Sequence, residues 1–211
     1  MFHAHNVTPI CSGTLTINHV AGTVAPETKT VTYGLVQTGL SGMSKCWITQ
    51  NLGADNQASS AGDNTNAAAG WYWQFNRMQG YKHDGTTRTP GTAWITPISE
   101  AGNWLAANDP CSIELGVNWR IPTYTEWANA HTNGAWASYF DPYNSVLKVH
   151  GGAGYINSTG TLTMRGSFGL YCSSSTFSNT NPYSYILSIS LYGPYWSSAK
   201  ANGYSLRCIK D

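Results

Sequence analysis

Charged residues are scarce in this chain. Lysine and arginine number 11, and aspartate and glutamate 10, in 211 residues, a share of 10%, where soluble proteins usually have about 25%. The formal net charge is +1, and the cations form no run. Because nucleic acids and anionic membranes are bound by clustered cations, the sequence predicts neither partner. The 22 glycines favour strands and long ordered loops in one domain with a sizeable core.

Long apolar runs are also missing. No stretch approaches the roughly 18 apolar residues of a membrane helix, so we expect no membrane span. The first residues, MFHAHNVTPIC, lack the charged and apolar regions of a signal peptide. The localisation is therefore undecided: a cell surface or a virion if the protein is exported.

The five cysteines form no CxxC pair, and their wide spacing argues against a zinc ribbon. At least one of them must be unpaired within a monomer. Free buried thiols and one or two disulfides are both compatible with the sequence, depending on the compartment.

Residues 166–199 contain no Asp, Glu, Lys, Arg or His, but ten Ser and five Tyr. This composition is typical of a binding surface in which Tyr and Trp act as rigid anchors and Ser, Gly and Asn as adaptable hydrogen-bonding groups. A pair of Ser/Thr-rich strands with a polar outer face would have the same composition. The residues alone favour neither interpretation.

Local patterns predict several elements. Alternating apolar and polar residues predict a hairpin within residues 13–36. In RIPTYTEW, Thr123 caps a helix and Glu126 returns to the N–H of the cap, so we expect a helix from Tyr124 to His131. Further strands are expected at residues 45–52, 161–164, 183–190 and 204–209.

Two predictions concern aromatic segments. A second, short helix is expected within residues 99–108, packed through Trp104 and Leu105 and ended by Asp109-Pro110. The five aromatic residues of GWYWQFNRMQGY, at positions 71–81, are too closely spaced for one buried face. We expect some in the core and some lining a groove.

Four ordered blocks, KCWITQNLGA, GWYWQFNRMQGY, NWRIPTYTEW and the closing GYSLRCIKD, resemble the Fibrobacter succinogenes major paralogous domain. That family is similar to the formylglycine-generating-enzyme branch of the C-type lectin fold. The resemblance implies an α+β fold with mixed, mostly antiparallel strands, two helices and long ordered loops. It also implies a C-terminal ligand-binding face, which favours the binding-surface interpretation of residues 166–199. We expect residues 1–30 to be an N-terminal extension with strands and 31–211 to be the C-type lectin-like domain.

The chain also resembles the variable proteins of diversity-generating retroelements, which display a C-terminal region diversified at adenines. An AAC codon mutated at its adenines never yields Lys, Glu, Gln, Met or Trp, and residues 166–199 contain only one of these, Trp196. In RGSFGLYCSSS, Cys172 stands where the family commonly has Trp. Cys is reachable from AAC, so this departure fits, whereas Trp196 requires a fixed codon or a shifted alignment. An ordinary, undiversified segment is the alternative.

The resemblance predicts a non-enzymatic recognition protein with a protein or glycan ligand at this variable face. Only alternate residues of a strand face a ligand, so about half of the predicted ligand-binding residues that lie in strands are expected to be core. The motif residues Trp47, Trp119, Arg120, Trp127, Arg207 and Cys208 are expected to be scaffold. The predicted ligand-binding residues are Phe168, Leu170, Cys172, Tyr183, Tyr185, Leu187, Ile189, Leu191, Tyr192, Tyr195 and Trp196.

No catalytic residue, metal or cofactor is predicted. An oxidase like the formylglycine-generating enzyme needs two nearby C-terminal cysteines, and only Cys172 lies in the window. A calcium site needs several carboxylate or amide oxygens, but no Asp or Glu lies between Asp141 and Asp211. No carboxylate pair suits a glycosidase. An enzyme using Cys172 and a structural component of a cell surface or virion are the alternatives.

Overall fold

The computed structural model describes residues 11–188, 190, 192–195 and 199–211, without the side chain of Tyr195. Every pair of strands within it is antiparallel, and its helices are short, so the expected α+β class with mostly antiparallel strands is confirmed. The strands are β1 (Ser12–His19), β2 (Lys29–Thr38), β3 (Lys45–Ile48), β4 (Tyr72–Gln74), β5 (Gly80–His83), β6 (Arg88–Thr89), β7 (Trp119–Arg120), β8 (Tyr155–Ile156), β9 (Leu162–Thr163), β10 (Phe168–Thr176), β11 (Pro182–Ser188), β12 (Tyr192–Tyr195), β13 (Gly203–Tyr204) and β14 (Ile209–Lys210).

The strands form three sheets. Their orders are β1-β2-β3-β14-β7, β10-β11-β12 and β6-β5-β4-β13-β8-β9. The C-terminal β14 therefore lies between β3 and β7, so the first and third of the sequence blocks meet the last one in the same sheet. The strands predicted at residues 45–52, 161–164 and 183–190 are confirmed in place by β3, β9 and β11. The single strand predicted at residues 204–209 is wrong, because only its ends lie in strands, β13 and β14, which belong to different sheets.

The described residues contain four α-helices, not the expected two. They are α1 (Asn66–Ala69), α2 (Pro110–Leu115), α3 (Tyr124–Asn133) and α4 (Asp141–Asn144). Two of these, α1 and α4, have only four residues. None of the described helices is long and apolar enough to cross a membrane.

The predicted N-terminal hairpin is confirmed. β1 pairs with β2 over its full length, from Ser12 opposite Val36 to His19 opposite Lys29. Leu15 and Ile17 pack against the largest core cluster while their neighbours along β1 face solvent. This one-sided burial explains the alternation of apolar and polar residues. The predicted domain boundary near residue 30 lies within this hairpin.

Helix α3 begins with the predicted capping box. Glu126 N–H donates to Thr123 Oγ1 at 3.2 Å, and Thr123 N–H donates to Glu126 Oε2 at 2.8 Å. The helix continues two residues beyond the expected end, to Asn133. Glu126 also accepts two hydrogen bonds from Arg120, which in turn binds Asp211 near the C-terminus.

The helix predicted within residues 99–108 is wrong, because only residues 106–108 form a single 3₁₀ turn. Backbone N–H groups of this segment are bonded to the C-terminal part of the chain instead. Glu100 N–H donates to Asn179 O and Trp104 N–H to Ser174 O, so the segment is held by the C-terminal part of the chain. Trp104 is buried as expected, whereas Leu105 is exposed.

The five aromatic residues between Trp71 and Tyr81 are all buried, and Trp71 also lines a cleft, as expected for some of these rings. These five residues belong to two different core clusters. Trp71, Trp73 and Phe75 belong to the largest one, and Tyr72 and Tyr81 to a small third one.

Two disulfides join distant parts of the described chain. Cys11–Cys46 ties the start of β1 to β3, and Cys111–Cys208 ties α2 to the segment before β14. The unpaired cysteine required by the odd number is Cys172, which is buried.

Candidate functional site

Strands β10 and β11 are covered on both faces. Leu170, Cys172 and Ile186 pack into the largest core cluster, which also contains Trp73 and Phe75. The alternate residues of the same strands point into a second cluster, where Tyr171, Tyr185 and Leu187 meet Trp47, Trp127 and Trp136. These strands therefore lie between two cores and have no solvated face.

Four predicted ligand-binding residues are consequently part of the core. Leu170, Cys172, Tyr185 and Leu187 are at most 1% exposed and cannot touch a ligand in this conformation. The expectation that alternate strand positions would face a ligand fails here because the second cluster covers the other face.

The other predicted residues divide into three groups. Phe168 is half-buried, with its ring 5.5 Å from that of Tyr155. Tyr183 is half-buried and Tyr192 is 36% exposed, so both present part of their surface to solvent. Ile189, Leu191 and Trp196 lie outside the described residues, and the backbone of Tyr195 pairs with Ser184.

Within strands β10 and β11 and the turn that joins them, the exposed aromatic surface lies at the turn. The Tyr183 ring stacks on Tyr124 with 4.0 Å between centroids and 28° between planes. Phe177, 45% exposed, meets the edge of the same Tyr183 ring at 5.3 Å. We call residues 174–183 together with Tyr124 the hairpin tip. It contains no ionisable acid or base other than the phenols of Tyr124 and Tyr183.

Tyr124 was not among the predicted site residues. It is the first residue of α3, directly after the Thr123 cap, and its side chain is half-buried at the end of the helix. The capping box placed it correctly in the sequence. No local signal indicates that the C-terminal hairpin returns to that helix end.

The backbone of the hairpin tip is fixed by three separate segments. Ser174 N–H donates to Pro122 O at 2.9 Å, and Ser174 O accepts from Trp104 N–H at 2.8 Å. Thr176 N–H donates to Asn103 Oδ1 at 2.9 Å, and Thr180 O accepts from Lys200 N–H at 2.8 Å. The main chain of the tip is therefore held without using most of its own side chains.

A second exposed aromatic residue, Tyr192, lies beside α3. Its hydroxyl donates to Ala137 O, and its ring centroid is 6.4 Å from that of His131. Burial lowers the pKa of His131, so this imidazole is neutral at pH 7. Its Nδ1 is 3.1 Å from the Tyr185 hydroxyl, which joins Tyr192 to the core beneath it.

Cys172 is not arranged as a nucleophile. Burial raises the pKa of its thiol well above the ordinary value, against a smaller opposite effect of Lys200. Because the thiolate is the reactive form, a buried thiol with a raised pKa is inert. Within the described part of the chain, no group of three His, Cys, Asp or Glu side chains is placed to hold a metal ion.

The motif residues that were predicted to be scaffold are integrated in the fold. Trp47, Trp119, Trp127 and Cys208 are buried in the two large clusters. Arg207 is fully buried, and its guanidinium donates to Asn51 Oδ1, Leu147 O and Lys148 O at 2.7–2.9 Å. Burial lowers the pKa of Arg207 to about 10, so it stays charged at neutral pH.

Comparison with family models, curated proteins and solved structures finds no match to this chain. The functional argument therefore rests on the geometry described above and on the sequence motifs.

Proposed function

We propose that this chain is a non-enzymatic recognition protein whose hairpin tip binds a protein or glycan ligand on a C-type lectin-like scaffold. We further propose that it is a variable protein of a diversity-generating retroelement. One observation carries the proposal. In the described part of the charge-free segment, β10 and β11 are covered on both faces, and the turn between them presents the aromatic group Phe177, Tyr183 and Tyr124.

The chemistry of the hairpin tip suits recognition by contact area. Its rings are already stacked on one another, so they lose little side-chain freedom on binding, which is the advantage of aromatic anchors. The surrounding Ser178, Asn179 and Thr180 provide neutral hydrogen-bonding groups. Since no carboxylate or ammonium takes part, binding should depend little on salt between 50 mM and 500 mM.

The anchoring of the tip supports diversification. Most of the hydrogen bonds that fix residues 174–181 to other segments use main-chain atoms of the tip, which every residue except proline can supply. Exposed side chains there can change without removing these bonds. Substitution within the buried part of the hairpin would instead alter packing on both sides of the sheet.

The two disulfides support display outside the cytoplasm. Disulfides persist in oxidising environments and are rare in cytosolic proteins. Cys11–Cys46 and Cys111–Cys208 accord with a protein carried on a cell surface or a virion, where a variable binding site would meet its ligand.

The deciding experiment is to sequence the DNA that flanks this gene. We expect a reverse-transcriptase gene and a near-copy of the segment encoding residues 166–199 that differs from it at adenines. The structure sharpens this expectation. The differing codons should fall on exposed and half-buried positions such as 177, 179, 183 and 192, and should avoid the buried codons of 170–172 and 184–187.

Each other outcome has a definite meaning. Without a copy, diversification is refuted and the chain is a fixed domain. A copy that differs mainly at the buried codons would keep diversification but refute the hairpin tip as the binding surface.

A further inference from the structure

A cleft of about 250 Å³ is lined by residues of the first half of the chain, between Glu27 and Thr89. Four segments meet there: the start of β2, the loop after β3, the end of α1 and the β5–β6 turn. Its floor is formed by Gly53, Gly70 and the indole of Trp71. A Cβ atom on Gly53 would lie 2.1 Å from the Trp71 ring, so the floor requires glycine at this position.

One wall is a network of alternating charges. Lys29 Nζ donates to Asp55 Oδ1 at 2.8 Å and lies 3.3 Å from Glu27 Oε1. Lys82 binds the other oxygen of Glu27. Lys29 also donates to Gly53 O, so its three N–H bonds are used. Among the described residues Lys82 has this one partner, which leaves two N–H groups on a side chain that is 41% exposed.

The opposite wall is the β5–β6 turn. Asp84 Oδ1 accepts from the N–H groups of Thr86 and Thr87 at 2.8 and 2.7 Å, and Asp84 Oδ2 makes no hydrogen bond to a described residue. His83 is only 7% exposed. Its Nδ1 accepts from Gly85 N–H at 3.1 Å, while its Nε2 has no partner in the part of the chain that the structure describes.

The His83 ring is largely buried, but its Nε2 is not among the fully buried polar atoms that lack a partner. Burial and the nearby Arg165 lower its pKa, so the ring is neutral at pH 7. With Nδ1 acting as acceptor, the proton is on Nε2. Nε2 is therefore a donor that a ligand in the cleft can reach, on a ring that is otherwise buried.

The unused groups of the cleft carry both signs. Lys82 and His83 offer donors, and the second carboxylate oxygens of Asp55 and Asp84 offer acceptors. An anion such as phosphate would meet Lys82 but also face Glu27, Asp55 and Asp84. A metal cation would meet these carboxylates but also face Lys29 and Lys82. Each would be repelled by about as many charges as attract it.

We propose that this cleft binds a small zwitterion of the α-amino acid class, whose carboxylate accepts from Lys82 and His83 and whose ammonium donates to Asp84 and Asp55. Charge-assisted hydrogen bonds are about twice as strong as neutral ones, so such a ligand uses the cleft better than a neutral sugar would. The proposal is independent of the function proposed for the hairpin tip, since the two surfaces share no residue.

The test uses the full chain and the twenty common amino acids as probes. Saturation-transfer NMR at 10 mM ligand identifies binders, and calorimetry gives the affinity of the best one. We expect at least one binder, and about a tenfold loss of affinity for the matching amine without the carboxylate and for the matching acid without the ammonium.

Two variants locate the binding. Asp84→Asn keeps the acceptor for Thr86 and Thr87 but replaces the unused acceptor with a donor, and Lys82→Met removes the ammonium while keeping the stem. Each should weaken binding about tenfold. Asp141→Asn is the matched control, because Asp141 also accepts from a backbone N–H, that of Ala137, and does not line the cleft.

Three results would overturn the proposal: no amino acid binds, the amine or the acid binds as well as the amino acid, or neither variant changes the affinity. Glucose, galactose and mannose serve as neutral probes, and tighter binding of any of them would identify a sugar site instead. Thermal unfolding of both variants shows whether they fold. If one does not, the other still decides the question.

Discussion

The molecule contains two long hairpins with opposite surroundings. The β1–β2 hairpin lies at the edge of its sheet and has one solvated face, where Thr16 and Thr32 hydroxyls meet at 2.9 Å. The β10–β11 hairpin lies between two aromatic clusters and reaches solvent mainly at its turn. The first hairpin therefore has polar residues on a whole face, and the second exposes them at one end.

The difference shows that a segment rich in Ser and Tyr need not lie at the protein surface. In the second hairpin, Tyr171 is fully buried because its hydroxyl donates to His150 O at 2.7 Å. Ser173 is buried in the same way, with its hydroxyl bonded to Tyr183 O at 2.8 Å. A hydroxyl that is satisfied internally costs little to bury. A charge costs far more, so the absence of charge from residues 166–188 reflects burial as well as any binding role.

The largest expected effect comes from removing the disulfide Cys111–Cys208. It closes a loop of 97 residues, so replacing both cysteines by Ala should lower the free energy of unfolding by about 4.7 kcal/mol in the loop-entropy model. Cys11–Cys46, which ties the first hairpin to β3, closes 35 residues and should contribute about 3.8 kcal/mol. Urea denaturation of the two double variants measures both, and the reverse order would contradict this ranking.

Tyr185→Ala tests the two-sided burial of the second hairpin. The Tyr185 ring stacks on Trp127 at 5.0 Å and meets the edge of Trp136 at 5.7 Å. Losing it should cost about 3–5 kcal/mol in the free energy of unfolding, as for other large aromatic core residues. Thr16→Ala on the solvated face of the first hairpin is the control and should change it by less than about 0.5 kcal/mol. Similar losses in the free energy of unfolding for Tyr185→Ala and Thr16→Ala would contradict the difference in burial between the two hairpins.

The sequence predicts the first hairpin and α3 because their signals are local. Alternation along β1 follows from one covered face, and the capping box needs only Thr123 and Glu126. The helix predicted at residues 99–108 fails for the opposite reason. Its N–H groups at Glu100 and Trp104 donate to Asn179 and Ser174, partners more than 65 residues away that no local pattern reveals.

The candidate site is predicted less well than the fold. The sequence places it at residues 166–199, and Phe177 at the exposed end lies within this range although it was not predicted to bind the ligand. Leu170, Cys172, Tyr185 and Leu187 were predicted to bind but are buried, because the largest cluster covers one face of the hairpin and the cluster around Trp127 covers the other. The cleft near Lys82 brings together four separate segments of the first half, and the sequence indicates only the aromatic segment with Trp71, from which a groove lining was expected.

Acid should weaken the packing beside the second hairpin through His150. Burial and Arg207 lower the pKa of His150 to about 4, below the value of about 6.5 in an unfolded chain. The unfolded state therefore binds the proton first, and stability falls as the pH drops from about 6.5 to 4, by about 3 kcal/mol in total.

Unfolding of the wild type and of His150→Gln between pH 4 and 7 measures this effect. His83 and His131, whose pKa values burial also lowers, act in the same direction in both proteins, so the difference isolates His150. Parallel pH profiles of the two proteins would show that His150 does not cause the loss.

The smallest changes are expected at the hairpin tip, and they sharpen the comparison within a single hairpin. Phe177→Ser and Tyr183→Ser each remove ring contacts that are partly exposed, so each should cost about 1 kcal/mol in the free energy of unfolding. Tyr185→Ser, two residues along the same strand, should cost about as much as Tyr185→Ala. Urea denaturation of the three variants compares partly exposed rings with a buried ring in one hairpin.

The main chain of the tip is held by hydrogen bonds from its backbone atoms to other segments, so the tip should tolerate either substitution. A loss near 3 kcal/mol at Phe177 or Tyr183 would make the tip part of the core and remove the structural support for a variable binding surface.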